Sequence, residues 1–114
     1  MHAGKFGLSD VTALSLRTAV YPNIGSNLNY PILGLCGEAG ELANKWKKVI
    51  RDDGGILTPE TRARLIDELG DVLWYVGCIA NELEVMLDEV YLLNDHKLLS
   101  RQAEGTLRGS GDER

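Results

Sequence analysis

The fold class of this chain follows from the stretch Asp67-Glu68-Leu69-Gly70-Asp71-Val72-Leu73-Trp74-Tyr75. Apolar residues recur here and on either side of it at the three- and four-residue spacing that is typical of an α-helix. Thr58 is suited to cap this helix and Pro59 to open its first turn, where no amide donor is required. Because apolar side chains surround almost the whole helix, we expect it to be largely buried.

The same periodicity extends through most of the chain and predicts an all-α fold. We predict helices over 9–20, 31–51, 59–81 and 87–104, with turns between them where Gly, Asn and Asp collect. A single helix over 59–104 would be about 69 Å long, which is too long for so small a domain, so we divide it. The composition of 105–114, with three glycines and mixed charges, favours an extension or disorder.

Composition narrows the class of protein further. The chain has 114 residues, near the size of one domain, so we treat 1–114 as a single domain. Its 12 basic and 17 acidic residues give a net charge of −5, which argues against nucleic acid as a partner. No apolar run could span a membrane and no signal peptide is evident, so we expect a soluble intracellular protein.

The residues that commonly bind soft metals are scarce. Cys36 and Cys78 form no Cys-x-x-Cys motif, and we expect both to be small core residues. His2 and His96 are too few and too far apart for a histidine-based site. Any metal ion would therefore be held by oxygen.

The most informative feature is a pair of acidic motifs, Glu38-Ala-Gly-Glu41 and Glu68-Leu-Gly-Asp71. Residues three apart are neighbours on one helical face, so each predicted helix offers two carboxylates together. The matching stripes hold Gly34, Glu38, Glu41, Lys45 and Lys48 on one helix, and Arg64, Glu68, Asp71, Tyr75 and Cys78 on the other. If these stripes face each other, four carboxylates meet.

Four neighbouring carboxylates require compensating cations. Mg²⁺ or Mn²⁺ suits carboxylate and water oxygens, and Mg²⁺ commonly joins one or two carboxylates to the phosphates of a substrate. The alternative is an internal network in which Lys45, Lys48 and Arg64 neutralise the acids. Nearby glycines favour close helix packing or room for a ligand; they are Gly37, Gly40 and Gly70.

The spacing of the two motifs resembles the signature of the all-α nucleoside triphosphate pyrophosphohydrolases. Two segments are similar to the MazG-like branch in particular. They are Gly34-Leu35-Cys36-Gly37-Glu38-Ala39-Gly40-Glu41-Leu42 and 67–75. The resemblance implies a four-helix subunit that assembles into a homodimer or homotetramer, in agreement with an exposed Trp74. It also implies Mg²⁺-dependent hydrolysis of a triphosphate to a monophosphate and pyrophosphate, in the cytoplasm of a bacterium or of a phage host. The implied metal ligands are Glu38, Glu41, Glu68 and Asp71.

Roles for the individual residues complete the hypothesis. Glu38 or Glu41 would accept a proton from the attacking water, and both remain open. Lys45 and Lys48 would hold phosphates or else form a solvated basic face, and Tyr75 would border the nucleotide or else pack in the core. By resemblance to small MazG-like proteins, the candidates also include Asn94, Lys97, Arg101 and a tail, Gly109-Ser110-Gly111-Asp112-x-Arg114, that folds over the site.

The substrate is expected to be a nucleoside triphosphate, with a deoxynucleotide such as dGTP as one option, because some phage-encoded relatives act on dGTP. The alternative is a helical module that binds or senses nucleotides without turnover. A di-iron carboxylate bundle is disfavoured because neither motif contains Glu-x-x-His.

Overall fold

The computed structural model describes residues 5–105, which form four helices and no strand. These are α1 (Leu8–Thr18), α2 (Asn29–Asp53), α3 (Pro59–Glu82) and α4 (Leu87–Glu104). The all-α prediction is confirmed for this part of the chain. The predicted tail at 109–114 lies outside the described residues. Between residues 5 and 105, no helix is both long and apolar enough to cross a membrane.

The helix ends follow from local chemistry. The Thr58 hydroxyl accepts a hydrogen bond from the Thr61 amide at 3.2 Å, and the Thr61 hydroxyl accepts one from the Thr58 amide at 2.9 Å. This reciprocal pair caps the start of α3. At the other end of the connection, Gly54 adopts φ +63°, a left-handed conformation that stops α2 and that glycine favours.

Helices α2 and α3 lie side by side and run in opposite directions, since a loop of only five residues, 54–58, joins them. Helix α1 packs on α3, where the Ser15 hydroxyl donates to the Trp74 carbonyl at 2.9 Å. Helix α4 contacts α1 near its own start, and the Leu87 amide donates to the Thr12 hydroxyl at 3.4 Å. The pairing of α2 with α3 therefore forms the largest helix interface in the subunit.

Three expectations about burial are wrong. Helix α3 is not covered by its own subunit, because Leu69 and Leu73 keep 56% and 44% of their surface exposed. Trp74 is half-buried rather than exposed, because its indole Nε1 donates to the Thr18 hydroxyl at 2.6 Å. Cys78 is buried as expected, but Cys36 lies on the exposed side of α2.

The glycines beside the acidic motifs do not mediate helix packing within the subunit. A Cβ atom added at Gly37, Gly40 or Gly70 would meet nothing within 4 Å. Close approach occurs instead at two other glycines. A Cβ at Gly34 would overlap the Tyr75 ring, and one at Gly77 would overlap the side chain of Ser15.

The loop between α1 and α2 is organised around one carboxylate from α3. Glu82 Oε2 accepts hydrogen bonds from the Tyr21 hydroxyl and, at 2.8 Å, from the Gly25 amide. Glu82 Oε1 accepts one from the Asn27 amide at 2.9 Å. The Tyr21 hydrogen bond, followed by those two amides, holds the pKa of Glu82 below its usual value. The Asn27 side chain in turn accepts from the Tyr30 amide, so α2 begins at Asn29, two residues earlier than predicted.

Candidate functional site

Three carboxylates meet where α2 faces α3. One carboxylate oxygen from each of Glu38, Glu68 and Asp71 lies within 4.8 Å of the other two. Glu68 is buried, with 7% of its surface exposed, whereas Glu38 is half-buried and Asp71 is exposed. The cluster therefore extends from the interior of the helix pair to solvent, and we call these three residues the acidic cluster.

One cation from the protein itself already contacts this cluster. The Lys45 ammonium lies 2.6 Å from Glu68 Oε1. The other carboxylate oxygen, Glu68 Oε2, is buried and has no hydrogen-bond partner. A buried carboxylate oxygen without a partner is costly, so the cluster as it stands lacks a donor or a cation.

The charges in the cluster influence one another. The hydrogen bond from Lys45 is the main reason why the pKa of Glu68 lies below its usual value, and the same contact raises the pKa of Lys45. The pKa of Glu38 is raised, first by burial, then by the close approach of the Glu68 carboxylate, and then by the charges of Asp71, Glu68 and Glu41. Glu38 therefore holds a proton more readily than an ordinary glutamate.

Glu41, the fourth predicted carboxylate, lies outside the acidic cluster. It is exposed, and it acts on the cluster only through its charge, which raises the pKa of both Glu38 and Lys45.

Tyr75 lies at one end of the acidic cluster. Its ring covers Gly34 on α2 and contacts the Trp74 ring edge-on, with 5.0 Å between ring centroids. Burial raises the pKa of the Tyr75 hydroxyl, and the neighbouring Tyr30 and Glu38 raise it further. The Tyr75 ring is thus close to the carboxylates, as its position on the predicted stripe indicates.

A small cleft lies at the opposite end of the cluster, between the end of α2 and the start of α3. Its volume is about 240 Å³, and its lining includes the basic side chains of Lys45, Lys48 and Arg64. We call it the basic cleft. From the sequence, Arg64 is expected only as a counter-ion of the acids, and its position on one stripe with Glu68 and Asp71 is the signal that it lies beside them. Of these three cations, Lys45 alone forms an ion pair with another residue of the 5–105 segment.

The predicted residues on α4 do not join the acidic cluster within one subunit. Asn94 and Lys97 line an apolar cavity of about 570 Å³ together with Leu73 and Val76, and none of the predicted metal ligands lines it. Arg101 is half-buried on the same helix. The single subunit therefore gives no support to a role for Asn94 or Lys97 beside its own carboxylates.

Comparison with known proteins identifies the family of this chain. A model of the MazG nucleotide pyrophosphohydrolase domain matches residues 28–105, a range that contains both acidic motifs. A protein called Gene 37 protein, from Mycobacterium phage L5, is 50% identical over 102 residues, which cover 85% of this chain and 90% of the relative. No solved structure gives a significant match. The match from residue 28 to residue 105 spans most of the chain, and the chain belongs to the MazG nucleotide pyrophosphohydrolase family.

Proposed function

We propose that this protein hydrolyses a nucleoside or deoxynucleoside triphosphate to the monophosphate and pyrophosphate, with Mg²⁺ as the natural metal and Mn²⁺ as a substitute. The observation that carries the proposal is the meeting of Glu38, Glu68 and Asp71 from two helices, with ligand oxygens within 4.8 Å of one another. Family membership supports the same reaction class. The proposed substrates include a deoxynucleotide such as dGTP.

The residues fit a hard divalent cation. All the candidate metal-ligand atoms of the acidic cluster are carboxylate oxygens, the ligand type that Mg²⁺ and Mn²⁺ prefer. The unpartnered Oε2 of buried Glu68 offers an acceptor position at the centre of the cluster. We assign Glu38, Glu68 and Asp71 as ligands, and Glu41 as an additional ligand or charge at the solvent side.

The chain's own residues would divide the chemistry as follows. A bound divalent ion supplies positive charge that offsets the phosphate oxygens and favours in-line attack by water. Glu38 accepts the proton of that water, because it lies in the acidic cluster whereas Glu41, the other candidate, lies outside it. Lys45 and Lys48 hold phosphates, and Tyr75 borders the nucleoside.

We also propose that the protein works as a homodimer or homotetramer. Large apolar side chains remain exposed along α4, including Tyr91, Leu92 and Leu93 at 60–64%, and the exposed Leu69 and Leu73 of α3 add to this surface. Apolar surface of this extent is typical of association sites. Light scattering on the purified protein tests the assembly, and a monomer at micromolar concentration would contradict it.

The decisive experiment incubates the protein with the eight common NTPs and dNTPs in Mg²⁺ and separates the products by chromatography. Monophosphate and pyrophosphate in equal amounts are expected, and diphosphate with orthophosphate would contradict the proposal. Glu38→Gln and Asp71→Asn should each abolish turnover and keep the helical circular dichroism. The matched control is Asp67→Asn, a neighbouring exposed acid outside the cluster, which should keep activity.

A nucleotide-binding or sensing module is the second candidate, and one contact favours it. Lys45 already neutralises part of Glu68, as an acidic groove without a metal would require. Tight nucleotide binding without product in the same assay would support this module and refute the hydrolase.

A further inference from the structure

The basic cleft is too small to enclose a whole nucleotide. Its volume of about 240 Å³ is below the range of about 300–1,000 Å³ that is usual for pockets that enclose small organic molecules. Three of its lining side chains are cationic, namely Lys45, Lys48 and Arg64. A compact polyanion fits such a space better than a base and sugar.

The acids of the cleft offset part of this charge, because the pKa of Asp52 is lowered first by its hydrogen bond with Arg51 and also by the charge of Lys48. Asp52 and Asp53 also line the cleft, but Asp52 is already held by Arg51, whose Nε and Nη2 donate to its two oxygens at 2.7 and 2.8 Å. Over residues 5–105, Lys48 and Arg64 form neither a hydrogen bond nor an ion pair. The planar guanidinium of Arg64 and the ammonium of Lys48 are donors suited to phosphate oxygens.

The groove between α2 and α3 has a direction. Tyr75 lies one helical turn beyond Asp71 on one side of the acidic cluster, a rise of about 6 Å. Arg64 lies seven residues from Asp71 on the other side, a rise of about 10 Å. A substrate that lies along the groove therefore meets an aromatic end, then the carboxylates, and then the basic cleft.

We infer that the basic cleft binds the β- and γ-phosphates of the substrate and, after cleavage, the pyrophosphate product. This inference rests on the proposed hydrolysis and adds an orientation to it. Water oxygen forms a bond to the α-phosphorus, the bond from that phosphorus to the bridging oxygen breaks, and its electron pair leaves with pyrophosphate. The proton of the water goes to Glu38. Lys48 and Arg64 then hold the leaving group.

The test measures the affinity of the full chain for inorganic pyrophosphate by calorimetry in a buffer that contains Mg²⁺. Arg64→Gln and Lys48→Gln should each weaken pyrophosphate binding by about tenfold. The matched controls are Arg62→Gln and Lys47→Gln, exposed cations on the same helices that do not line the cleft. The controls should change the affinity by less than twofold, because they alter the net charge equally without touching the cleft.

Several outcomes would overturn the inference. One is that the unmodified protein does not bind pyrophosphate. Another is that the cleft variants and the control variants weaken binding equally. A third is that the cleft variants lose more affinity for the four deoxynucleoside monophosphates than for pyrophosphate. The last result would place the nucleoside at this end of the groove. Circular dichroism verifies that each variant folds. Because Lys48 and Arg64 are exposed, their replacement should leave the fold intact, so a selective loss of pyrophosphate affinity would come from the cleft.

This test separates the cleft from the proposed activity, because pyrophosphate binding requires no turnover. Selective loss in the two cleft variants, together with no hydrolysis of any triphosphate, would support the cleft and refute the activity. Hydrolysis to pyrophosphate with unchanged affinity in both variants would refute the cleft and support the activity.

Discussion

Replacement of Gly34 by alanine tests how closely α2 and α3 approach beside the acidic cluster. A Cβ atom at this position would lie 2.7 Å from Tyr75 Cδ1 and closer still to Cε1 and Cζ of the same ring. Because carbon atoms at such distances repel strongly, the ring or the helices must move. Gly34→Ala therefore opposes the packing that places Tyr75 next to the carboxylates.

The expected magnitude is the balance of two terms. Alanine is favoured over glycine inside a helix by up to about 1 kcal/mol. Insertion of an extra methyl into a packed contact costs about 1–3 kcal/mol. We therefore expect Gly34→Ala to lower the free energy of unfolding by about 1 kcal/mol. Gly37→Ala and Gly40→Ala, on the same helix but with nothing within 4 Å of the added atom, should raise it by about 0.5–1 kcal/mol.

The assay is urea unfolding followed by far-UV circular dichroism at one fixed protein concentration, since association would change the apparent stability. A Tyr75→Ala background removes the ring that the new methyl meets, so Gly34→Ala should become stabilising there. Stabilisation by Gly34→Ala in the unmodified background would refute the close approach. The same sign in both backgrounds would refute the assignment of the clash to Tyr75.

Three further predictions concern other parts of the subunit. Gly77→Ala should destabilise the protein by about 1–2 kcal/mol in urea unfolding, because the added Cβ meets the Ser15 side chain where α1 packs on α3 and this cost exceeds the gain in helix propensity. Glu82→Gln should lower the urea midpoint at neutral pH, because the ionised Glu82 accepts three hydrogen bonds from the α1–α2 loop. Lys45→Met should raise the affinity of the nucleotide-free protein for Mg²⁺ several-fold in calorimetry, because it removes the cation that competes for Glu68.

Each of these predictions has a control and an outcome that contradicts it. Gly70→Ala, on the same helix as Gly77 but without a neighbour within 4 Å, should not destabilise the protein, and equal losses would contradict the first. The pKa of Glu82 lies below its unfolded value, so its stabilisation is present above about pH 4.5 and is lost as the pH falls through the folded value. A difference between Glu82→Gln and the unmodified protein that persists unchanged to pH 3 would contradict the second. Lys47→Met is the control for Lys45→Met, and equal effects of the two on Mg²⁺ affinity would contradict the third.

Periodicity predicted the helical stretches and the residues that share each stripe, whereas the division between α3 and α4 came from the length of the stretch. The observed contacts of Gly34 with Tyr75 and of Lys45 with Glu68 join members of the two stripes in antiparallel order. The reason is that 3.6 residues per turn fixes which side chains share a face, whatever the rest of the chain does. The rotation of each helix about its own axis is not fixed in this way. That rotation places Glu38 in the acidic cluster and leaves Glu41 outside it.

Contacts between residues that are far apart in the chain could not be predicted from the sequence. Glu82 bonds residues that lie 55 to 61 positions before it, and no local pattern marks such a partner. The glycines at 37, 40 and 70 were candidates for close helix packing. Whether a glycine is required depends on how close the neighbouring helix lies at that position, and at these three positions no atom lies within 4 Å of an added Cβ. Trp74 was wrongly expected at the surface, since no local pattern marks its hydrogen-bond partner, Thr18, on another helix.

The position of Lys45 links the acidic cluster to the basic cleft, because this one side chain borders both. While its ammonium pairs with Glu68, it lessens the repulsion among three close carboxylates and withholds one cation from the cleft. A divalent ion that takes over Glu68 would leave the Lys45 ammonium without its carboxylate, and the nearest polyanion site is the cleft with Lys48 and Arg64. Binding of the ion and of pyrophosphate would then strengthen each other by the same factor, since coupling between two binding sites is reciprocal. Under the proposed hydrolysis, the charged end of the substrate would therefore bind most tightly once the divalent ion is in place.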